Sequence, residues 1–281
     1  MEFWYEERDT MKYLQNLHTH TSYCDGKDTP EDIVLVACKK GFRSIGFSGH
    51  SYMYYSPTYS MSVEGTEEYK KEIATLKKKY ADKMDIFCGM EVDMFSEVDL
   101  TGYDYLIGAV HCLKFGDKIV GFDRPAEVVK SVIERHFNGN GMAYAKAYYK
   151  TLARLPEYGK FDIIGHFDLI TKHVEKQCFF DVNSKEYQRA AVEAVEVLAG
   201  KIPYFEVNTG AIARGSRTTP YPDKFLLKEL KRHGFGAVIT SDCHDANYLD
   251  CKFSEAKELL KECGFREQFV LTKAGFVPVE L

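Results

Sequence analysis

An α/β fold in one domain spanning residues 1–281 is what this sequence predicts, and three observations carry that reading. Seven short apolar runs recur along the chain, all but the third followed by a polar segment of helical periodicity. Strands alternating with helices pair in parallel through crossovers. No internal repeat, low-complexity tract or Pro/Gly/Ser-rich linker divides the 281 residues, a length sufficient for a sizeable core. Seven strands on this plan give a (β/α) barrel, with an open doubly wound sheet as the alternative.

Taken in order, the first strand candidate is Tyr13–Leu17. Thr29 then offers a cap, Pro30 a first-turn residue and Glu31 and Asp32 acids, ahead of a helix over Ile33–Lys40 that stops at Gly41. Ser44–Phe47 reads as a strand, Thr66–Tyr80 as a helix, and Met84–Met90 and Tyr103–Val110 as strands. The stretch from Lys114 to Lys160 is long for one crossover. It predicts an inserted helical excursion, Arg124–His136 and Met142–Tyr158, with Asn138-Gly139-Asn140-Gly141 as the loop between. Strands follow at Phe161–Ile164, Ile202–Val207 and Gly236–Thr240, with helices at Ser184–Ala199, Pro222–His233 and Ser254–Glu262.

Composition excludes several function classes. Hydrophobic residues make up 45% and charged ones 28%, as in a folded globular protein. A net charge of −5 without a basic stripe gives no nucleic-acid or anionic-membrane partner. No apolar run approaches the ~20 residues that span a bilayer. Met1-Glu2-Phe3-Trp4-Tyr5-Glu6-Glu7 lacks the basic flank and apolar stretch of a secretory signal. The eight cysteines (Cys24, Cys38, Cys88, Cys112, Cys178, Cys243, Cys251 and Cys263) form no C-x-x-C pair and read as reduced thiols. The expectation is a cytoplasmic protein of unspecified oligomeric state.

The histidines point to chemistry. Six of nine stand at or just past the C-terminal end of a strand candidate: His18 and His20, His50, His111, His166 and His244. That end of a parallel barrel holds active sites. His136, His173 and His233 fall in helices or loops and are set aside. Asp25, Glu91 and Asp242 join the cluster at the same level. In His18-x-His20 and Asp242-x-His244 the strand period of two puts both side chains on one face. His and carboxylate together suit Zn²⁺, Mn²⁺ or Fe²⁺. Nine ligands exceed what one ion uses, so two or three divalent ions sharing carboxylates are expected. Cys24, Cys112 and Cys243 flank these ligands. Alternation turns Cys112 and Cys243 away, and all three read as buried reduced thiols rather than ligands.

With these residues in view, the chain resembles the PHP (polymerase and histidinol phosphatase) superfamily of metal-dependent phosphoesterases. The matching segments are Leu17-His18-Thr19-His20-Thr21-Ser22-Tyr23-Cys24-Asp25-Gly26, Gly46-Phe47-Ser48-Gly49-His50, Gly89-Met90-Glu91-Val92-Asp93, Gly108-Ala109-Val110-His111, Ile164-Gly165-His166-Phe167-Asp168 and Ser241-Asp242-Cys243-His244. Within that superfamily it is most similar to the histidinol-phosphate phosphatases, on Gly121-Phe122-Asp123-Arg124, Tyr148-Tyr149 and Phe205-Glu206-Val207-Asn208-Thr209-Gly210. The resemblance implies a distorted seven-stranded (β/α)7 TIM-like barrel with a trinuclear metal centre. Its ligands by position are His18, His20, Asp25, His50, Glu91, His111, His166, Asp242 and His244. Two departures stand out. Gly49 precedes His50 where the family often has an acid, and Cys24 precedes Asp25 where it often has a serine.

The expected reaction is hydrolysis of L-histidinol phosphate, a small phosphate ester, by attack of a metal-bridging hydroxide, releasing L-histidinol and inorganic phosphate in histidine biosynthesis. Asp242, His244 and Arg214 are the candidate catalytic residues, with protonated Asp242 or metal-bound water as candidate acids for the leaving group. Lys172, Arg214 and Arg217, in loops after strand ends, are candidate phosphate contacts. Tyr52, Tyr54, Tyr55 and Tyr59 beyond His50 read as a packed surface loop, with a pocket wall or lid as the alternative. The nearest rival substrate is a nucleotide or another small phosphate ester. A non-catalytic metal-binding domain and a metal-dependent amidohydrolase, with a lysine bridging its metals, are the rival classes.

Overall fold

The computed structural model describes residues 14–281. Met1–Glu7 and the Tyr13 end of the first strand candidate lie outside the described residues. In chain order the elements are β1 Gln15–Asn16, α1 Pro30–Lys39, β2 Ser44–Phe47, α2 Val63–Lys79, β3 Asp85–Asp93, β4 Tyr105–Ala109, β5 Cys112–Phe115 and β6 Lys118–Gly121. There follow α3 Ala126–Phe137, α4 Gly141–Leu152, β7 Ile163–Ile164, α5 Lys185–Leu198, β8 Tyr204–Asn208, α6 Gly210–Ala213, α7 Lys224–Arg232, β9 Gly236–Thr240, α8 Phe253–Glu262, β10 Glu267–Thr272 and β11 Gly275–Glu280.

Seven strands pair in parallel in the order β1-β2-β3-β4-β7-β8-β9. The ends of that row meet. Thr19 bridges Cys243 in parallel, with His20 N donating to Cys243 O at 2.8 Å and Cys243 N to His18 O at 3.0 Å. The barrel rather than the open sheet is therefore the outcome, nearly closed and with helices between its strands.

Side-chain size makes closure possible. Tyr105 fills the bore and donates its hydroxyl to Leu17 O and, at 3.1 Å, to Phe47 O. Gly46 and Gly89 leave it room, since a Cβ at either would stand 2.4 or 2.3 Å from the ring or hydroxyl. Outside the barrel, helix faces with a 3.6-residue period cover the strands: Ile33, Val34 and Ala37 from α1, Ala191, Val195 and Leu198 from α5, Leu226, Leu227 and Leu230 from α7. Each large aliphatic side chain buried this way contributes roughly 1.5–3 kcal/mol.

Two expectations are corrected and one element is added. The Lys114–Lys160 excursion is entered through an antiparallel hairpin, β5–β6, turning at Gly116 with φ +59°. The helix expected over Met142–Tyr158 stops at Leu152, and a short 3-10 turn over Leu155–Glu157 carries Pro156, which cannot continue an α-helix. The C-terminal hairpin β10–β11 was not expected. It packs under the barrel, where Gln15 Nε2 donates to Leu271 O at 2.8 Å. Among the described residues, no helix is long and apolar enough to cross a membrane.

Candidate metal centre

All nine expected ligands meet at the C-terminal mouth of the barrel. His18 and His20 leave β1 on one face, and His50 follows β2. Glu91 lies within β3, which runs on to Asp93, further than its apolar run indicated. His111 and His166 follow β4 and β7. Asp242, just past β9, holds a left-handed backbone with φ +45°. A non-glycine residue pays for that conformation in strain, a cost found disproportionately at functional sites.

Glu91 is the hub. Its Oε1 lies 2.9 Å from His166 Nε2 and 3.2 Å from His111 Nε2. Its Oε2 lies 2.7 Å from His50 Nδ1, 3.4 Å from His18 Nε2 and 3.6 Å from His20 Nε2. Asp242 Oδ1 approaches His20 Nε2 at 3.1 Å and His244 Nδ1 at 3.5 Å. Asp25 Oδ1 faces His20, His50 and His244 at 3.5, 3.7 and 3.4 Å. Three sets have ligand atoms within 4.8 Å of one another: His20, Asp25, His50 and His244; His18, His20 and Glu91; His50, Glu91 and His111.

The donor chemistry fits divalent ions. His18 Nε2, His20 Nε2 and Glu91 Oε2 are buried without a hydrogen-bond partner, a costly state unless a cation completes them. Charges respond as a cation site should. Burial pushes Glu91 up, but His50, His18 and His111 outweigh it and hold the carboxyl well below its usual range. Burial pulls His18 down, yet Glu206, Glu91 and Asp242 lift it to about 10.

A ring of residues behind the ligands fixes their orientation. Glu206 Oε2 accepts from His18 Nδ1 at 2.8 Å, and Oε1 from the His166 backbone N at 2.6 Å. Asp93 faces His111 Nδ1 at 3.3 Å and accepts from the His111 N at 2.9 Å and the Tyr55 hydroxyl at 2.6 Å. Sequence reasoning quoted Glu206 and Asp93 within motifs without giving them a role. Their signal is an acid at an inward, alternate position of a barrel strand: Asp93 two residues beyond Glu91 at the end of β3, and Glu206 in the middle of β8.

The mouth is a cleft of about 230 Å³ lined by the metal-facing residues with Tyr59, Asp123, Arg124, Leu169, Lys172 and Arg214. Arg214 donates to Asp242 O and to Asp242 Oδ2, both at 2.8 Å. Burial raises the Asp242 carboxyl, but Arg214 and His18 hold it well below the carboxylate range, so in the metal-free chain it is ionised near neutrality. Lys172 reaches the cleft paired with Asp123 at 2.5 Å. Burial raises Asp123, and Lys172 and His111 bring it down to about 2. Arg124 lies 5.1 Å over the Tyr59 ring and donates to Ser56 at 2.9 Å. Asp123 and Arg124 follow the unexpected hairpin, so their place in the cleft was hidden.

Arg217 is a correction. It is 6% exposed and does not line the cleft. Its guanidinium lies 4.7 Å over the Tyr221 ring, donates to Thr171 and approaches Glu175 at 3.9 Å. Those partners hold it behind the loop, in a packing role. The tyrosine loop divides. Tyr54 is exposed, Tyr55 binds Asp93, and Tyr59 lines the cleft with its ring 4.9 Å from His50. All eight cysteines are free thiols. Cys243 is pushed up to about 12 by burial, and burial raises Cys112 further. Cys24 is the exception to the buried reading: it is half-buried.

Comparisons with known proteins agree with this arrangement. The PHP domain family matches residues 16–210. A probable histidinol-phosphatase of Deinococcus radiodurans is 27% identical over 269 residues, covering 91% of this chain and 96% of that one. The histidinol-phosphatase of Bacillus subtilis is 27% identical over 254 residues, covering 82% and 92%. A crystal structure of histidinol phosphate phosphatase from Lactococcus lactis, complexed with zinc, L-histidinol and phosphate, superposes with a TM-score of 0.70 at 21% identity, covering 94% of this chain and 98% of that one. That likeness shows the same fold.

Proposed function

The chain belongs to the PHP domain family, and from that premise we propose that it hydrolyses L-histidinol phosphate to L-histidinol and inorganic phosphate with the help of divalent ions. The observation that carries the reading is the nine-residue ring around Glu91, with three buried ligand atoms left unpartnered beside the Arg214–Asp242 pair. Full-length similarity to histidinol-phosphatases supports the substrate.

His18, His20, Asp25, His50, Glu91, His111, His166, Asp242 and His244 would hold two or three ions of Zn²⁺, Mn²⁺ or Fe²⁺. When bound, such ions supply Lewis acidity toward phosphoryl oxygens and bring the ionisation of water close to neutral pH. The chain's own residues do the rest. Asp242, kept ionised, is a fixed negative charge and hydrogen-bond acceptor at the edge of the centre. Arg214 donates to Asp242 O and Oδ2 and turns a third N–H toward His244 Nδ1 at 3.2 Å. Its two other N–H groups have no protein acceptor among the described residues and are available to phosphate. Lys172 and Asp123 give the cleft a cation and an anion side by side, matching a substrate with both a phosphate and an ammonium group. Glu91 stands at the strand end where an amidohydrolase would need a lysine to hold its metals, and Lys172 is engaged by Asp123, so the phosphoesterase reading is favoured.

The test is phosphate release from L-histidinol phosphate beside a nucleoside monophosphate and an aryl phosphate, with metal content measured on the same sample. Strong preference for histidinol phosphate with two to three ions per chain supports the proposal. Equal, slow turnover of all three esters overturns the substrate and leaves the metal centre standing.

A further inference from the structure

Cys24 and Gly49, the two departures from the family pattern, touch each other in space. A Cβ at position 49 would stand 3.0 Å from Cys24 Sγ, closer than nine in ten real contacts. The missing side chain therefore gives the sulfur its place. From there Sγ lies 3.5 Å from His20 Nδ1 and donates to Thr21 O at 3.5 Å. The loop behind is folded tightly onto His20: Cys24 N and Gly26 N both donate to Thr21 O at 3.0 Å, and a Cβ at Gly26 would strike the Thr21 N at 2.4 Å. The thiol has little freedom to turn elsewhere.

His20 needs such a partner more than its neighbours do. Its ring stands between two sets of ligands, with Nε2 toward Glu91 and Asp242 and Nδ1 toward Asp25 Oδ1 at 3.5 Å. One imidazole nitrogen binds a metal while the other carries the proton, and the partner of the second nitrogen decides which is which. Glu206 makes that choice for His18 and Asp93 faces Nδ1 of His111. For His20 two groups stand at 3.5 Å from Nδ1, Asp25 Oδ1 and Cys24 Sγ; Asp25 is itself an expected ligand of the set with His50 and His244, which leaves the sulfur, a weak acceptor, as the partner that no ion would claim.

We propose that Cys24 is the positioning residue of His20, holding Nδ1 as a donor and so committing Nε2 to the ion shared with His18 and Glu91, with Gly49 as the space that admits the thiol. This rests on the reading of His20 as a metal ligand.

The experiment loads the full chain with Zn²⁺ or Co²⁺ alone and follows metal retention against a competing chelator, the visible bands of the cobalt form, and melting of the metal-free protein. Cys24→Ala is expected to lower affinity for one ion about 10- to 100-fold, the usual effect of removing a ligand's orienting partner, and to shift the cobalt bands. Cys24→Ser, which keeps a donor and acceptor, is expected to restore most of both. Gly49→Ala should weaken retention in the parent and have no further effect in the Cys24→Ala background, because its target is gone. Unchanged affinity and cobalt bands in Cys24→Ala overturn the proposal. So does an equal loss in Cys24→Ala and Cys24→Ser matched by a fall in metal-free melting, since that is packing alone. His20→Ala separates the two levels: if it keeps its full metal content, the ligand reading itself fails, and if it loses an ion while Cys24→Ala does not, only the role of the thiol fails.

Discussion

Glu206 Oε2 and His18 Nδ1 meet at 2.8 Å in the fully buried interior of the barrel. The same carboxylate accepts from Thr240 Oγ1 at 2.8 Å, His166 N at 2.6 Å and Asn208 Nδ2 at 2.7 Å. One acid thus joins residues of β8 and β9 to the ends of β1 and β7, while fixing which nitrogen of His18 faces the ions. Four donors offset much of the cost of burying its charge, and burial, which pushes its carboxyl up, is outweighed by His18.

Glu206→Gln is therefore expected to damage metal binding more than fold. An amide presents one acceptor oxygen and adds two N–H donors to a place already filled with donors. Metal affinity should fall about 10- to 100-fold, the range for orienting partners of ligating histidines. Competition with a chelator reads the affinity and thermal melting of the metal-free chain reads the fold. Wild-type affinity in the variant would show that Glu206 does not orient His18.

Arg214 and Asp242 divide between charge and chemistry. Asp242→Asn removes both the fixed carboxylate acceptor and a ligand charge, and turnover should fall by at least about 10³-fold with the circular-dichroism spectrum retained. Arg214→Ala leaves the carboxylate in place but deprives phosphate of its donors. Its kcat/KM should drop about 10²-fold for every phosphate ester, the scale of losing one oriented donor in a reacting site. A fully active Asp242→Asn protein would refute the assignment.

Metal removal should change how stability depends on pH. In the metal-free chain His18 titrates near 10 against about 6.5 when unfolded. Its contribution to stability is complete below about 6.5 and is lost as pH rises through about 10, with a slope of at most about 1.4 kcal/mol per pH unit. His20 and His111, also raised, act in the same sense. Ions require the neutral rings, so their hold strengthens across the same window. The difference in melting temperature between loaded and metal-free protein should grow from pH 6.5 to 9. A difference that shrinks over that range would reverse the sign and sink this account.

How much of this was legible in the sequence follows from period and position. A histidine two residues beyond another ligand at a strand end, as in His18-x-His20 and Asp242-x-His244, announces its face through the strand period alone, and the other five proposed ligands were legible from their place at or near strand ends. Glu206 and Asp93 obey the same alternation but look like ordinary strand residues until the barrel closes and shows what lies across from them. The β5–β6 hairpin was hidden because Cys112–Phe115 runs on from the apolar β4 segment, with only Gly116 to mark the turn. Asp123 and Arg124, quoted within a matching segment, had no assigned place in the cleft for that reason. Arg217 was misplaced because a loop cation after a strand looks the same whether it faces the cleft or, as here, lies over Tyr221. Sequence distance carries no information on that choice.

The Lys172–Asp123 pair then separates recognition of phosphate from recognition of the rest of the substrate. Asp123, brought down to about 2, stays ionised throughout the neutral range and presents a carboxylate beside the cleft. A charged hydrogen bond to a substrate ammonium is worth about 1.5–3 kcal/mol, or roughly 10- to 100-fold in binding. Asp123→Asn should therefore raise KM for L-histidinol phosphate by about 10-fold or more. For an aryl phosphate, which has no ammonium group, kcat/KM should change by less than about 2-fold. Lys172→Ala, by contrast, removes a cation that any phosphate would meet, and both substrates should suffer alike. Steady-state kinetics of the two variants on the two esters decides the matter, with metal content checked on each preparation. Parallel losses for both esters in Asp123→Asn would mean that the carboxylate merely holds Lys172 in place, and the ammonium contact would have to be sought elsewhere in the cleft.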